Sequence, residues 1–461
     1  MKLFFVKMDF KLVFAVVLTG FGLITEQLFR KVYDLVPYSF IDEAFHVPQA
    51  VKYCNGTFHE WDPKITTLPG LYLFSLATHR LVGYKTCTLF TLRLGNVVLS
   101  CITFILLYRI LRRLKMNQKG YSRRMVLWHA FNLAIFPVAY FFTFLYYTDT
   151  LSTCTVLLML DLHLSSKKNL ASLVGILSCI ARQVNIVWVG YLLLYSFSKS
   201  VHDYLTEPAM RNTMKQLRKK NTWSIVWSSK IPAEHLIRMA QRIIEDTYSY
   251  IAVCCLFVGF VAYNKGIVVG DKSAHEAVIH LPQILYFSAF FCVFTLPYAL
   301  LKIFPFQRYI LKKPLLVVIC GLSFAAVIHY NTHIHPYLLA DNRHLTFYLW
   351  NKVLGHDLFK YLLLPVYVFG TFSLYDNIEG THFELATWAA LKIALVPQRL
   401  LEFRYFIIPF YLCRMHIRCN DYRFLLTETI MNLSVNAAVL YIFYSKTFYW
   451  PDFPEPQRII W

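Results

Sequence analysis

Ser39-Phe-Ile-Asp-Glu-Ala-Phe-His-Val-Pro-Gln-Ala50, continuing to Trp61-Asp-Pro-Lys-Ile-Thr-Thr-Leu-Pro-Gly70, is the polar exception in an apolar chain. It follows the first long apolar run, Leu12–Ile24, which is preceded by Lys2, Lys7 and Lys11. Cations before an apolar run hold that end in the cytosol. The run resembles a signal peptide, but Glu26-Gln-Leu-Phe-Arg30 follows it in place of a small-residue cleavage site, so it reads as a retained first span over 12–30. Asp42 and Glu43 then fall just beyond the far membrane edge.

Working outward, the composition agrees. Of 461 residues, 57% are hydrophobic and only 16% are charged, too few for a soluble protein of this size. Mean hydropathy is +0.46. Repeated apolar runs near bilayer length predict an all-α polytopic membrane bundle of about 11–13 spans. The net charge of +20 sits in short Lys/Arg clusters between those runs, the mark of cytosolic loops and not of a nucleic-acid surface. Most of the eleven Cys lie inside apolar runs, and no CxxC or zinc spacing appears. The expectation is therefore no disulfide framework and no zinc site.

The basic clusters alternate along one predicted bundle, 1–461, without a soluble domain or repeat. Residues 31–85 form the first non-cytosolic loop, with a short apolar helix over 68–82 that does not span. Spans follow over 86–110, 126–145 and 150–164. Residues 169–199 read as two short helices meeting at Arg182-Gln183, because a charge deep in lipid is costly. The stretch 200–246 is the large basic cytosolic loop. Further spans are expected over 247–264, 282–301, 314–330, 358–374, 383–397, 405–416 and 424–445. A second large outer loop covers 331–357.

The unusual polar residues collect on the outer side: Asp42, Glu43, His46, Arg182, Gln183, Asp271, His275, Glu276, Asp341, Arg343, His344, Glu402 and Arg404. Carboxylates and arginines at one membrane face suit an anionic substrate and a proton transfer. Arginine holds phosphate oxygens in pairs, and a carboxylate can deprotonate an attacking hydroxyl. Each residue also has a plainer use. An Asp-Glu pair can cap a helix; the arginines can snorkel or pair; Trp350 and Trp450 can anchor an interface. His329, His333 and His335 are closely spaced, but a metal site there is not expected. The acidic residues leave a divalent ion open.

Longer strings narrow the choice. Asp42-Glu-Ala-Phe-His-Val-Pro-Gln-Ala50, Tyr53-Cys54, Trp61–Tyr72, Arg182-Gln-Val-Asn-Ile-Val-Trp188, Val268–Ala277, Pro336–His344 with Phe347-Tyr348, Leu400–Phe406 and Gln457-Arg-Ile-Ile-Trp461 together resemble the endoplasmic-reticulum dolichyl-phosphate-glucose-dependent alpha-1,2-glucosyltransferases, of the GT-C superfamily. Val184 stands where a polar residue such as Thr is expected. The resemblance implies an inverting enzyme without an established cofactor. Its donor is dolichyl-phosphate glucose, its acceptor the terminal glucose of the diglucosylated oligosaccharide on dolichyl pyrophosphate, and its site faces the lumen. It places the base at Asp42, with Glu43 the second candidate. Charge and predicted membrane side alone put the donor phosphate on Arg343 and Arg404, with Arg182 a third candidate. Asn55-Gly-Thr57 is a glycosylation sequon in the first lumenal loop; Asn432-Leu-Ser434 falls within a span and is discounted. A transporter, or a non-catalytic regulatory membrane protein, is the alternative. Transporters, however, place ionisable groups near the midplane, not in outer loops.

Overall fold

Capping residues and prolines set most helix ends. Thr88 opens a helix by a reciprocal box with Thr91, Ser122 accepts the Met125 N–H, and Asp421 accepts the Arg423 N–H. Pro137, Pro282 and Pro314 stand at first helical positions, where the missing N–H costs nothing. The computed structural model describes residues 9–83, 86–207, 233–272, 277–378, 383–451 and 453–461. Its helices are α1 (Phe10–Leu35), α2 (Glu43–Cys54), α3 (Gly70–Val82), α4 (Leu89–Lys115), α5 (Arg123–Ala134), α6 (Pro137–Phe142), α7 (Thr148–Leu164), α8 (Lys168–Ala181) and α9 (Ile186–Thr206). Then come α10 (Ala233–Asn264), α11 (Pro282–Phe294), α12 (Ile303–Lys312), α13 (Pro314–Tyr330), α14 (Leu364–Ile378), α15 (Glu384–Leu395), α16 (Ile407–His416) and α17 (Tyr422–Ser445). Short helical turns fill much of 336–362, and a two-residue hairpin pairs β1 (Thr447–Phe448) with β2 (Gln457–Arg458).

The protein is an all-α polytopic membrane protein. Among the described residues, five helices are long and apolar enough to cross a bilayer: α1, α4, Gln183–Thr206, α10 and α17. Two bent pairs raise the number to seven. The remaining predicted spans are shorter or broken helices, for identifiable reasons. The segment expected to span over 126–145 breaks at Pro137. α17 compensates the broken turn: Asn432 Nδ2 donates to the Asn132 carbonyl (3.0 Å) and Asn436 Nδ2 to the Ile135 carbonyl (2.8 Å). Asn432 is thus buried and bonded, as its place within a span implied. The segment 282–301 is not one straight span, because the chain turns by 91° between α11 and Leu296–Lys312, where Pro297 interrupts the ladder. A second bend, of 94°, separates Leu345–Leu354 from Phe359–Ile378.

The predicted break at Arg182-Gln183 is present: α8 ends at Ala181, a single 3-10 turn covers Gln183–Asn185, and α9 begins. The expected basic loop is shorter than 200–246. α9 runs to Thr206 and α10 starts at Ala233, carrying Arg238 and Arg242; residues 208–232, with Arg211, Lys215, Arg218, Lys219, Lys220 and Lys230, lie outside the described residues.

The expectation of no disulfide is overturned. Cys54 and Cys87 form a disulfide, with Cα atoms 6.2 Å apart. Unlike most other cysteines they flank the polar first loop, and a separation of 33 residues matches no short motif. The bond ties the end of α2 to the entry of α4.

Close helix approach needs small residues. A Cβ at Gly370 of α14 would meet the Ser288 carbonyl oxygen of α11 at 2.6 Å, so only glycine permits this contact.

Candidate active site

The 36–42 loop is anchored from beneath by one buried ion pair. Arg93 of α4 donates to both Glu43 oxygens, at 2.8 and 2.5 Å, and to the carbonyls of Val36 (2.7 Å) and Tyr38 (2.9 Å). Glu43 also accepts the N–H of Phe40 at 3.0 Å and of Tyr146 at 2.5 Å. Both charged side chains are fully buried. With four hydrogen bonds and no exposure, Glu43 has no open lone pair aimed at a substrate.

The adjacent carboxylate is differently placed. Asp42 precedes α2 but makes no capping bond, and Ile41 before it has φ +54°, a left-handed conformation costly for a β-branched residue. The strained turn aims the Asp42 side chain away from its own helix. Asp42 Oδ2 lies 2.9 Å from Nη1 of Arg404, and 38% of the side chain remains exposed. Burial by the surrounding protein pushes the carboxyl pKa up, but Arg404, His46 and His344 outweigh it, leaving it below the ordinary value. Asp42 is therefore ionised at neutral pH. His46, bonded through Nδ1 to the Tyr72 hydroxyl at 2.6 Å, has its pKa lowered by burial despite the pull of Asp42, so it is neutral there.

Arg404 is the hub. Its guanidinium contacts Asp42, Glu402 (2.7 Å) and Asp149 (3.7 Å) and lies over the rings of Phe142 and Tyr147. Asp149 is only 3% exposed and also pairs with Arg182. One carboxylate at the start of α7 thus holds two guanidinium groups side by side. Sequence reading missed Asp149, whose only signal was an acid in an outer turn; it likewise left Arg93 and Tyr147 out.

Two cavities meet at Arg404. The smaller, about 250 Å³, is lined by Arg182, Gln183, Asn185, Trp188, Gln398 and Arg404 among others. The larger, about 560 Å³, is lined by Asp42, Asp341, Arg343, Glu402, Arg404 and Trp450 among others. Arg343 and Asp341 are paired with each other through two bonds of 2.8 and 2.7 Å. The guanidinium carbon lies over the Trp450 ring, 4.4 Å from its centre. Trp450, expected as an interface anchor, thus forms a cavity wall; Trp350, expected likewise, is buried. Residues 457–461 brace this wall. The N–H of Ile460 donates to the Arg343 carbonyl (2.7 Å), the N–H of Leu345 donates to Ile460, and His344 Nδ1 lies 3.1 Å from the Trp461 carbonyl oxygen.

The other predicted residues are dispersed. Gln183 Nε2 donates to the Thr66 carbonyl, tying the first loop to the helix break. Asp271 lines neither cavity; its N–H donates to the Pro63 carbonyl at 2.7 Å. His275 and Glu276 lie outside the described residues. Among the described residues no group of three or more His, Cys, Asp or Glu is arranged to hold a metal ion. His329 instead bonds the Tyr361 hydroxyl, and His335 caps a short helix.

Residues 36–415 match the model of the DIE2/ALG10 family. A Drosophila melanogaster relative is 36% identical over 455 residues, covering 96% of this chain and 98% of its own length. Relatives from Mus musculus and Homo sapiens are each 34% identical, over 92% of this chain and 93% of theirs. All three are named Dol-P-Glc:Glc(2)Man(9)GlcNAc(2)-PP-Dol alpha-1,2-glucosyltransferase. No solved structure matches the chain. Nearly full-length similarity, running through both the Asp42 loop and the Arg404 turn, means that the chain belongs to the DIE2/ALG10 family.

Proposed function

We propose that this protein transfers glucose from dolichyl-phosphate glucose to the terminal glucose of the diglucosylated lipid-linked oligosaccharide. It forms an alpha-1,2 bond with inversion, the last step of assembling the N-glycan precursor. The observation that carries this reading is the Asp42–Arg404 pair at the junction of two cavities. The smaller cavity takes the donor phosphate on Arg182 and Arg404. The larger takes acceptor sugars, with the Trp450 and Arg343 planes and the Asp341 carboxylate supplying apolar faces and hydrogen-bond partners. Arg343 accordingly belongs to the acceptor wall and not to the donor phosphate, because it lines the larger cavity and not the smaller one.

In the reaction the acceptor 2-oxygen attacks the anomeric carbon while the bond to the phosphate oxygen breaks. Asp42 receives the hydroxyl proton, and the electron pair leaves on phosphate. Single displacement from a beta donor gives the alpha product and needs no protein nucleophile. Guanidinium groups aimed at the leaving phosphate stabilise its charge without reorganising. A donor phosphate competing for Arg404 also frees Asp42 from its partner and returns its pKa toward the ordinary value, strengthening the base when it is needed.

The test is transfer of labelled glucose by purified protein in detergent or vesicles. Arg404→Ala should raise the KM for donor about 10- to 100-fold, the loss of a charged hydrogen bond. Trp450→Ala should act on the acceptor KM instead. Absence of transfer by the folded wild-type protein, with substrate flux across vesicles, would favour a transporter.

The site is proposed to face the endoplasmic-reticulum lumen. The Cys54–Cys87 disulfide requires an oxidising compartment, and the sequon at the exposed Asn55 sits beside it. In cells, Asn55→Gln should remove one endoglycosidase-sensitive mobility step. A wild-type protein insensitive to the enzyme removes this support for the lumenal side.

A further inference from the structure

α11 begins beside the smaller cavity, where Gln283 Nε2 donates to the Leu400 carbonyl (3.0 Å), and α12 follows the opposite end of that helix; α12 and the adjoining α13 are unusually bare. α12 buries no residue against the protein, and α13 buries only Ile328. Phe304, Leu311, Leu315 and Leu322 are each more than two-thirds exposed. Helices this apolar and this bare face lipid. The 91° turn before α12 lays that helix across the direction of α11, as an interfacial helix lies.

Between α12, α13 and α14 is a groove of about 550 Å³. Its walls are aromatic and aliphatic: Phe306 packs on Phe369 and Phe372, at 5.3 and 5.1 Å between ring centres, and Val317, Phe324 and Trp388 complete them. Its charged lining comprises Arg308, Lys312 and Lys313 against one acid, Asp376, which already pairs with Lys302. An apolar slot with surplus cations at its mouth, bordered by lipid-facing helices, complements a molecule with apolar chains and an anionic head.

We propose that this groove binds one anionic phospholipid of the leaflet opposite the catalytic cavities. Its phosphate lies on Arg308, Lys312 and Lys313 and an acyl chain lies along Phe306, Val317 and Phe324. The site is separate from glucose transfer and does not depend on that reading.

The experiment uses the full chain in nanodiscs of phosphatidylcholine containing phosphatidylinositol or phosphatidylserine, released into mild detergent for native mass spectrometry. One anionic phospholipid should stay bound per chain. Arg308→Ala, Lys312→Ala and Lys313→Ala combined should lower its retention roughly tenfold or more, since each nearby cation contributes to holding an anionic lipid. Val317→Trp, which fills the groove without altering charge, should lower it comparably. Arg112→Ala, Lys119→Ala and Arg123→Ala combined, which remove exposed cations elsewhere, should leave it intact. Equal loss in that control means diffuse attraction to a basic face and overturns the site. So does unchanged retention in Val317→Trp, or retention of dolichyl phosphate alone. Should the triple variant elute aggregated, Val317→Trp decides the matter by itself.

Discussion

Replacing Asp42 by Asn should cut kcat for glucose transfer by about 10²- to 10⁴-fold, the usual contribution of a positioned general base, while the protein still folds. The amide keeps the shape of the carboxylate and can still approach the Arg404 turn, but it takes no proton. The donor KM should change far less than kcat, because Asp149 and Glu402 still hold the phosphate-binding guanidinium groups of Arg182 and Arg404 in place. The acid limb of the pH profile follows from the same geometry. Asp42 must be ionised to act, and its carboxyl pKa in the resting protein is below the ordinary value, so the free enzyme loses activity only as pH falls through that lowered value. With donor bound and Arg404 diverted to phosphate, the limb in kcat should lie at higher pH than the limb in kcat/KM. Full activity of folded Asp42→Asn removes the base from the mechanism.

The second large effect is on stability. Arg93→Leu should destabilise the protein by about 3–5 kcal/mol, the cost of leaving a buried charge without its partner. Glu43 would be stranded beneath the loop, and the carbonyls of Val36 and Tyr38 would lose their donor. Thermal unfolding followed in detergent measures this directly. Glu43→Gln keeps the volume and part of the hydrogen bonding, so it should unfold at a lower temperature than wild type yet retain transfer in the fraction that stays folded. That pattern is opposite to the one expected of Asp42→Asn and distinguishes the two neighbouring acids. A stable but inactive Glu43→Gln would reverse their roles.

Local rules carried the sequence reading as far as local rules reach. The break at Arg182-Gln183 was legible because a charge inside an over-long apolar run has few alternatives. The last three helices were legible because Pro397–Tyr405 and the basic stretch Arg414–Arg423 separate three apolar runs. The Asp42 loop stood out because polar strings are rare in this chain. Pairing across long separations was not legible. Nothing near Asp149 says that Arg182 and Arg404 will share it, and nothing near Arg93 says that its partner is Glu43, 50 residues earlier. Trp450 reads as a membrane anchor until the fold slides Arg343 onto its face. Prolines at 137 and 297 were visible, but whether such a residue opens, bends or ends a helix depends on which neighbour satisfies the freed carbonyls.

The bracing of the larger cavity by residues 457–461 sets a timetable for biosynthesis. The Glu43–Arg93 clamp can close as soon as the second long helix is made, whereas the Tyr38 hydroxyl meets the Pro456 carbonyl across 418 residues of chain. About 340 residues separate the end of α4 from Pro456, so at ribosomal speeds of about 5–20 residues per second the gap is roughly 17–70 s. Throughout that interval the nascent loop is fastened at its base but roofless, with its acidic tip awaiting the late-arriving arginine. Quality control during insertion therefore has a defined half-built species to protect, and damage to the last few residues should leave a membrane-integrated but catalytically idle polypeptide.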